Sequence, residues 1–299
     1  MKIKVKEGAL LFKNAFWEWN KKDPFRESAA IAYYAIFSLP GLLILSITLA
    51  GYFFGRNAVV GHLHSQLSAA MGNDTADQIQ EMMTGARRGA NSFWATTIGL
   101  MTILFGATGV FVQLQKSLNI IWEVKAKPSK SDIWNFLKGR LFSFGLILSI
   151  AFLLLVSLVI TSILAAMSKW SQAHWPAYFM FLFQTANFLV SLSIISILFA
   201  MMFKFLPDAK IKWRYVWMGA FFTGSLFEIG KFGLGLYFGK AEPGAGYGAA
   251  GSVILILLWV SYSSMIVFYG AELTKAYADQ YHGYVAAGEN AVKAIGRKI

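Results

Sequence analysis

Glu228 and Lys231 stand three residues apart inside an otherwise uncharged, largely apolar run from Val216 to Phe238. On a helix this spacing puts both side chains on about the same face. If the run crosses a bilayer, a charge at that depth costs about 2.5 to 3.5 kcal/mol, which forbids the pair from facing lipid. Gly224, Glu228, Lys231 and Gly235 follow one another at i, i+4, i+7 and i+11. Small residues therefore flank the charges and allow close approach by another helix or a ligand. Two chemistries fit this arrangement. One is a polar site at mid-depth for a substrate, a proton or a lipid headgroup, and the other is a closed ion pair that fixes helix packing.

Weaker polar stripes recur elsewhere. Gln184, Asn187 and Ser191 share a helix face, as do Thr102, Gly106, Gly109 and Gln113, with Asn119 and Trp122 further along at the inner end. Ser252, Trp259 and Ser263 align in a third segment, where Glu272 is expected to close the helix at the inner interface. Hydrogen bonding between helices is the ordinary use of such residues, so each stripe alone reads as packing. Tyr33 and Tyr34 precede Pro40 and Gly41, and the proline predicts a kink or a break because it removes an intrahelical donor.

Covalent chemistry finds no support. The chain has no cysteine and four histidines, His62, His64, His174 and His282, none at metal-ligand spacing. It lacks a Walker A motif, a GxSxG elbow and a dinucleotide turn. The glycine-rich EPGAGYGAAG stretch, Glu242 to Gly251, reads as a tight turn rather than a phosphate loop. No enzyme activity, metal or cofactor is expected.

The elements that must hold these residues are membrane spans. Of 299 residues, 57% are hydrophobic and 14% charged, against roughly 25% charged in soluble domains. Six windows approach the roughly 20 apolar residues needed to cross about 30 Å of hydrocarbon: 29–54, 93–115, 141–167, 178–203, 216–238 and 250–269. The expected fold is an all-α, six-helix membrane bundle forming a single domain over 1–299.

Charge placement sets the orientation. With these spans, 21 Lys and Arg residues fall in the terminal segments and the second and fourth loops, and five on the other side, with Lys231 within a span. Cytoplasmic loops carry the excess, so both termini are expected in the cytoplasm. The net charge of +12 is spread between apolar blocks, which points to anionic lipid headgroups rather than nucleic acid. Residues 8–20, with Leu10, Phe12, Phe16, Trp17 and Trp19 among lysines, read as an interfacial helix. Between Gly55 and Ser92, Thr75 and Gln78 form a capping-box pattern before Ile79, Met82, Met83 and Ala86, which predicts a short amphipathic helix on the outer side.

Four stretches carry a resemblance. They are AIAYYAIFSL (Ala30 to Leu39), QKSLNIIWEVK (Gln115 to Lys125), Leu206 to Phe238 with its FEIGK core, and Tyr247 to Thr274 with its GAE. Together and in this order they resemble the YihY/BrkB family of bacterial inner-membrane proteins. That likeness implies a six-helix inner-membrane protein. It marks Tyr33, Asn119, Trp122, Glu228, Gly230, Lys231, Tyr247, Gly248, Gly270 and Glu272 as motif positions. In the first span the proline stands one place early, with Gly41 where the family usually has it.

The expected substrate-binding set is Glu228, Lys231, Tyr33, Asn119, Trp122, Asn187, Gln113, Tyr247 and Glu272. The expected function is transport or flipping of a lipid or another amphiphile. Proton-coupled transport of a small solute and a non-transporting envelope scaffold are the alternatives. Expected partners are membrane lipids, with a homo-oligomer or envelope proteins as further candidates.

Overall fold

A computed structural model of the chain describes residues 5–71, 73, 76–81, 109–127, 177–241, 251–283, 285–288 and 291–293. Seven longer helices appear among them: α1 (Val5–Lys21), α2 (Pro24–Phe54), α3 (Arg56–Met71), α4 (109–121), α5 (Ala177–Phe205), α6 (Trp213–Ala241) and α7 (Gly251–His282). Strands β1 (Val124–Ala126) and β2 (Ala291–Lys293) pair antiparallel, with Val124 opposite Lys293. Two stretches among the described residues, Phe188–Phe205 and Val253–Tyr281, are long and apolar enough to cross a bilayer. Spans at 141–167 and most of 93–115 lie outside the described residues.

Helix ends follow local chemistry. Asp23 takes left-handed angles (φ 49°, ψ 56°) and lets the chain turn from α1 into α2, where Pro24 at the first helical position loses no hydrogen bond. The break expected at Pro40 does not occur: α2 is helical on both sides of it, since the proline deletes one donor among 31 residues. Glu272 does not close its helix, which runs ten residues further to His282. The carboxylate is instead buried and paired, so it serves the interior rather than the terminus. The connection after α2 holds α3, whose Val59, Leu63 and Leu67 pack with Ile79, Phe238 and Ile256. Residues 76–81 are helical too, but Thr75, Met82, Met83 and Ala86 lie outside the described residues.

Small residues set how closely the last two helices approach. The α6–α7 contact is built on two GxxxT repeats, Gly219 with Thr223 and Gly270 with Thr274. A Cβ on Gly219 would overlap the Thr274 hydroxyl, and one on Gly270 would overlap that of Thr223. Each threonine donates back to the carbonyl four residues earlier, Thr223 to Gly219 at 2.6 Å and Thr274 to Gly270 at 2.7 Å. Both hydroxyl hydrogens of this close contact are thereby paired. Gly224 receives α5 similarly, where a Cβ would come within 2.8 Å of Ser196 Oγ. Phe221, Ile229, Phe232 and Leu236 form an exposed apolar stripe on the outside of α6, suited to lipid rather than water.

Adding one methyl to either glycine is expected to cost about 1 to 3 kcal/mol of overpacking. Gly270→Ala and Gly219→Ala should both lower the thermal midpoint in detergent. Gly233→Ala, whose Cβ meets nothing within 4 Å, should leave the midpoint level or raise it. Equal midpoints for all three variants would refute the interlock.

Candidate functional site

Polar side chains gather at two levels of the bundle. The first is the Glu228–Lys231 pair on α6. Lys231 Nζ lies 2.9 Å from Glu228 Oε2, and Ser191 of α5 donates to Glu228 Oε1 at 3.0 Å. Glu228 is thus held by one bond from its own helix and one from its neighbour. Its side chain is 10% exposed, whereas that of Lys231 is 36% exposed. Gly230, between them, faces Tyr262 of α7, whose hydroxyl would lie 2.7 Å from an added Cβ. Phe227 meets Trp259 edge to face with ring centres 6.0 Å apart.

The second level lies at the ends of α1, α4 and α7. Gly219 faces Thr274 and Thr223 faces Gly270, which sets Glu272 level with Phe221. Glu228 is seven residues further along α6, roughly 10 Å of helix rise. Lys22, in the turn after α1, pairs with the buried Glu272 carboxylate and donates to the Ile121 carbonyl at 3.1 Å. Burial pushes the Lys22 ammonium below its usual value, against the pull of Glu272. Lys275 reaches Glu123 at 2.5 Å. Glu123 closes α4 in the left-handed region (φ 54°), a conformation that costs a non-glycine residue about 1 to 2 kcal/mol. Burial alone would raise the Glu123 carboxyl, but the hydrogen bond and charge of Lys275 outweigh it and hold the carboxyl below its ordinary range.

Around this pair several polar side chains are matched. Gln113 and Ser117 each donate to Glu27 Oε2 at 2.7 Å. Asn119 donates to Asp208 Oδ2 at 2.7 Å and accepts the Asp208 backbone N–H at 2.8 Å, a reciprocal clamp between α4 and the loop after α5. Trp19 Nε1 donates to the Met265 carbonyl at 3.2 Å, and Tyr269 donates to the Phe12 carbonyl at 3.2 Å. These bonds tie α1 to α7. The C-terminal segment covers the layer: Gly288 donates to the Asp208 carbonyl at 2.8 Å, Lys210 to that of Ala286 at 2.9 Å, and β2 pairs with β1.

The nine residues expected to share one substrate site therefore separate. Glu228 and Lys231 form the upper level. Gln113, Asn119, Trp122 and Glu272 belong to the lower one, where Gln113 and Asn119 are engaged in internal bonds. Tyr33 is 59% exposed, against Tyr34 and Phe37. Tyr247 and the Asn187 side chain lie outside the described residues. Sequence reasoning passed over Lys22, Glu27, Glu123, Asp208 and Lys275. Their side-chain partners in other segments lie 86 to 250 positions away, beyond any local pattern.

Two long apolar helices in a mostly helical chain are in keeping with a helical membrane protein. Residues 15–294 match the family described as virulence factor BrkB, and the chain belongs to that family. Similar proteins are named UPF0761 membrane proteins. The one from Pseudoalteromonas atlantica is 25% identical over 277 residues, covering 92% of this chain and 88% of its own. That of Saccharophagus degradans is 24% identical over 276 residues, and this chain spans 60% of its length. One from Pseudomonas paraeruginosa is 31% identical over 181 residues, covering 60% of this chain and 41% of its own. No solved structure matches the chain.

Removing one partner of a buried pair costs about 3 to 5 kcal/mol because the other charge is stranded. Lys22→Met and Glu272→Gln should each destabilise strongly, and the double variant should cost less than the two single losses summed, read by thermal unfolding in detergent. The lowered Glu123 carboxyl adds stability above its ordinary 4.5, lost as pH falls through its folded value. Glu123→Gln should accordingly flatten the decline of the midpoint with acid. An unchanged acid slope would refute the Lys275–Glu123 contribution.

Proposed function

We propose that this protein is a non-enzymatic carrier of a lipid or another amphiphile in the bacterial inner membrane, with both termini in the cytoplasm. The observation that carries the reading is the unequal exposure of the α6 pair: Glu228 is sequestered and bonded, whereas Lys231 leaves 36% of its side chain accessible at span depth. A fixed carboxylate beside an accessible ammonium suits an anionic or zwitterionic headgroup, which Lys231 engages while the acyl chains stay in the bilayer. The lipid-facing stripe of Ile229 and Phe232 borders the pair and gives those chains an apolar path. Supporting the inner-membrane orientation is the 21 to 5 bias of Lys and Arg residues.

A scaffold reading has one observation of its own. The pair closes on itself at 2.9 Å with Ser191 completing it, as packing alone would require. The two readings diverge on neutralisation. In proteoliposomes with a fluorescent phospholipid, the wild-type protein should speed lipid movement between leaflets. Lys231→Met should reduce that rate by about tenfold, while the Glu228→Gln, Lys231→Met double variant folds but stays inactive. Full activity in the double variant would contradict the carrier role of the pair.

A further inference from the structure

Beneath the C-terminal strand lies a cavity of about 210 Å³ lined by Trp122, Glu123, Lys275, Asp279, Val285 and Lys293. Waters occupying about 30 Å³ each would number about seven there. We propose that this cavity binds a small zwitterion carrying both an oxyanion and an ammonium group.

Two observations of different kinds converge on it. Trp122 is 4% exposed, and its indole N–H is buried without a hydrogen-bond partner among the described residues. A buried donor of this kind calls for an acceptor; Gln78 Oε1 and Ser196 Oγ are likewise buried without a partner among the described residues, but of the three only Trp122 lines this cavity. The charges of the lining are also balanced, with two ammonium groups and two carboxylates. Glu123 is already paired with Lys275, and Asp279 and Lys293 add one further charge of each sign, so the lining has no net charge and favours neither a lone anion nor a lone cation. A zwitterion satisfies both signs, its oxyanion set toward the indole and lysine donors and its ammonium toward the carboxylates.

The walls are held in place before any ligand arrives. Glu123 is fixed in its left-handed turn and bonded to Lys275 at 2.5 Å. Register between the strands sets Lys293 directly opposite Val124, two residues from Trp122. Val285 and Lys293 both come from the C-terminal segment, so occupancy also holds that segment against the bundle. The site is separate from the Glu228–Lys231 pair and stands whether or not that pair carries lipid.

The test uses the full chain in a maltoside detergent, with nitrogen-15 in its indole rings and the Trp122 signal assigned by Trp122→Phe. O-phosphoethanolamine should move the Trp122 indole signal saturably. Inorganic phosphate alone and ethanolamine alone should each bind at least about tenfold more weakly. Lys293→Gln, a change at an exposed strand position, should weaken binding by about tenfold while leaving the other indole signals in place. In nanodiscs, a shift already present with phosphatidylethanolamine and absent with phosphatidylglycerol identifies a membrane headgroup as the source. The same shift produced only by the free compound identifies a soluble zwitterion. Absence of a Trp122 shift in every arm overturns the site, and equal binding of inorganic phosphate overturns its zwitterionic character.

Discussion

Glu272 is a carboxylate on a helix facing the interior, 2% exposed, and the end of the bundle is arranged around it. A buried charge is tolerated only with a partner and a set of hydrogen bonds. Lys22 supplies the charge, which fixes the turn between α1 and α2 over α7 and brings the ammonium to the Ile121 carbonyl at the end of α4. Three chain segments separated by about a hundred residues or more are thereby held at one point. Lys275, one helical turn beyond Glu272, extends the layer to Glu123 and on to the strand pair. Disrupting the first pair leaves the others without a frame.

Away from this layer, steric rather than ionic terms govern. The α6–α7 contact depends on glycines facing threonine hydroxyls, and the α5–α6 contact on Gly224 facing Ser196. In lipid the apolar face of a helix gains nothing by leaving its solvent, so close van der Waals approach holds the helices together, helped between α6 and α7 by threonine hydroxyls bonded within their own helices. The outward stripe of α6 and the exposed aromatic residues of α1, Phe16 and Trp17, complete a surface built for two environments.

The sequence made the helices easier to read than their meeting points. Four apolar windows coincide with α2, α5, α6 and α7 because twenty apolar residues have few other uses. The Glu228–Lys231 pair was legible because i, i+3 spacing is local. Glu272 was misread as a helix end because its partner, Lys22, lies 250 residues away, beyond any local pattern. Asn119 looked like a binding residue, yet its side chain is spent on Asp208. The helix α3 was missed although Val59, Leu63 and Leu67 recur every four residues, since histidine, serine and glutamine between them lower its apolar character. The cavity beside Trp122 has no sequence signature at all, being formed by three separate segments.

A Glu228–Lys231 pair inside the bilayer and a Lys22–Glu272 layer at its edge would differ in which small molecules reach them. A chain without cysteine permits single spin labels at will. Ile229 is 68% exposed and adjoins Glu228 on the outward face of α6, and Gly283 is exposed just past the end of α7. In lipid vesicles, a label at Ile229→Cys should relax strongly with oxygen and weakly with a water-soluble nickel chelate, and one at Gly283→Cys should do the reverse. Equal access of the nickel chelate to both positions would contradict a membrane-embedded pair.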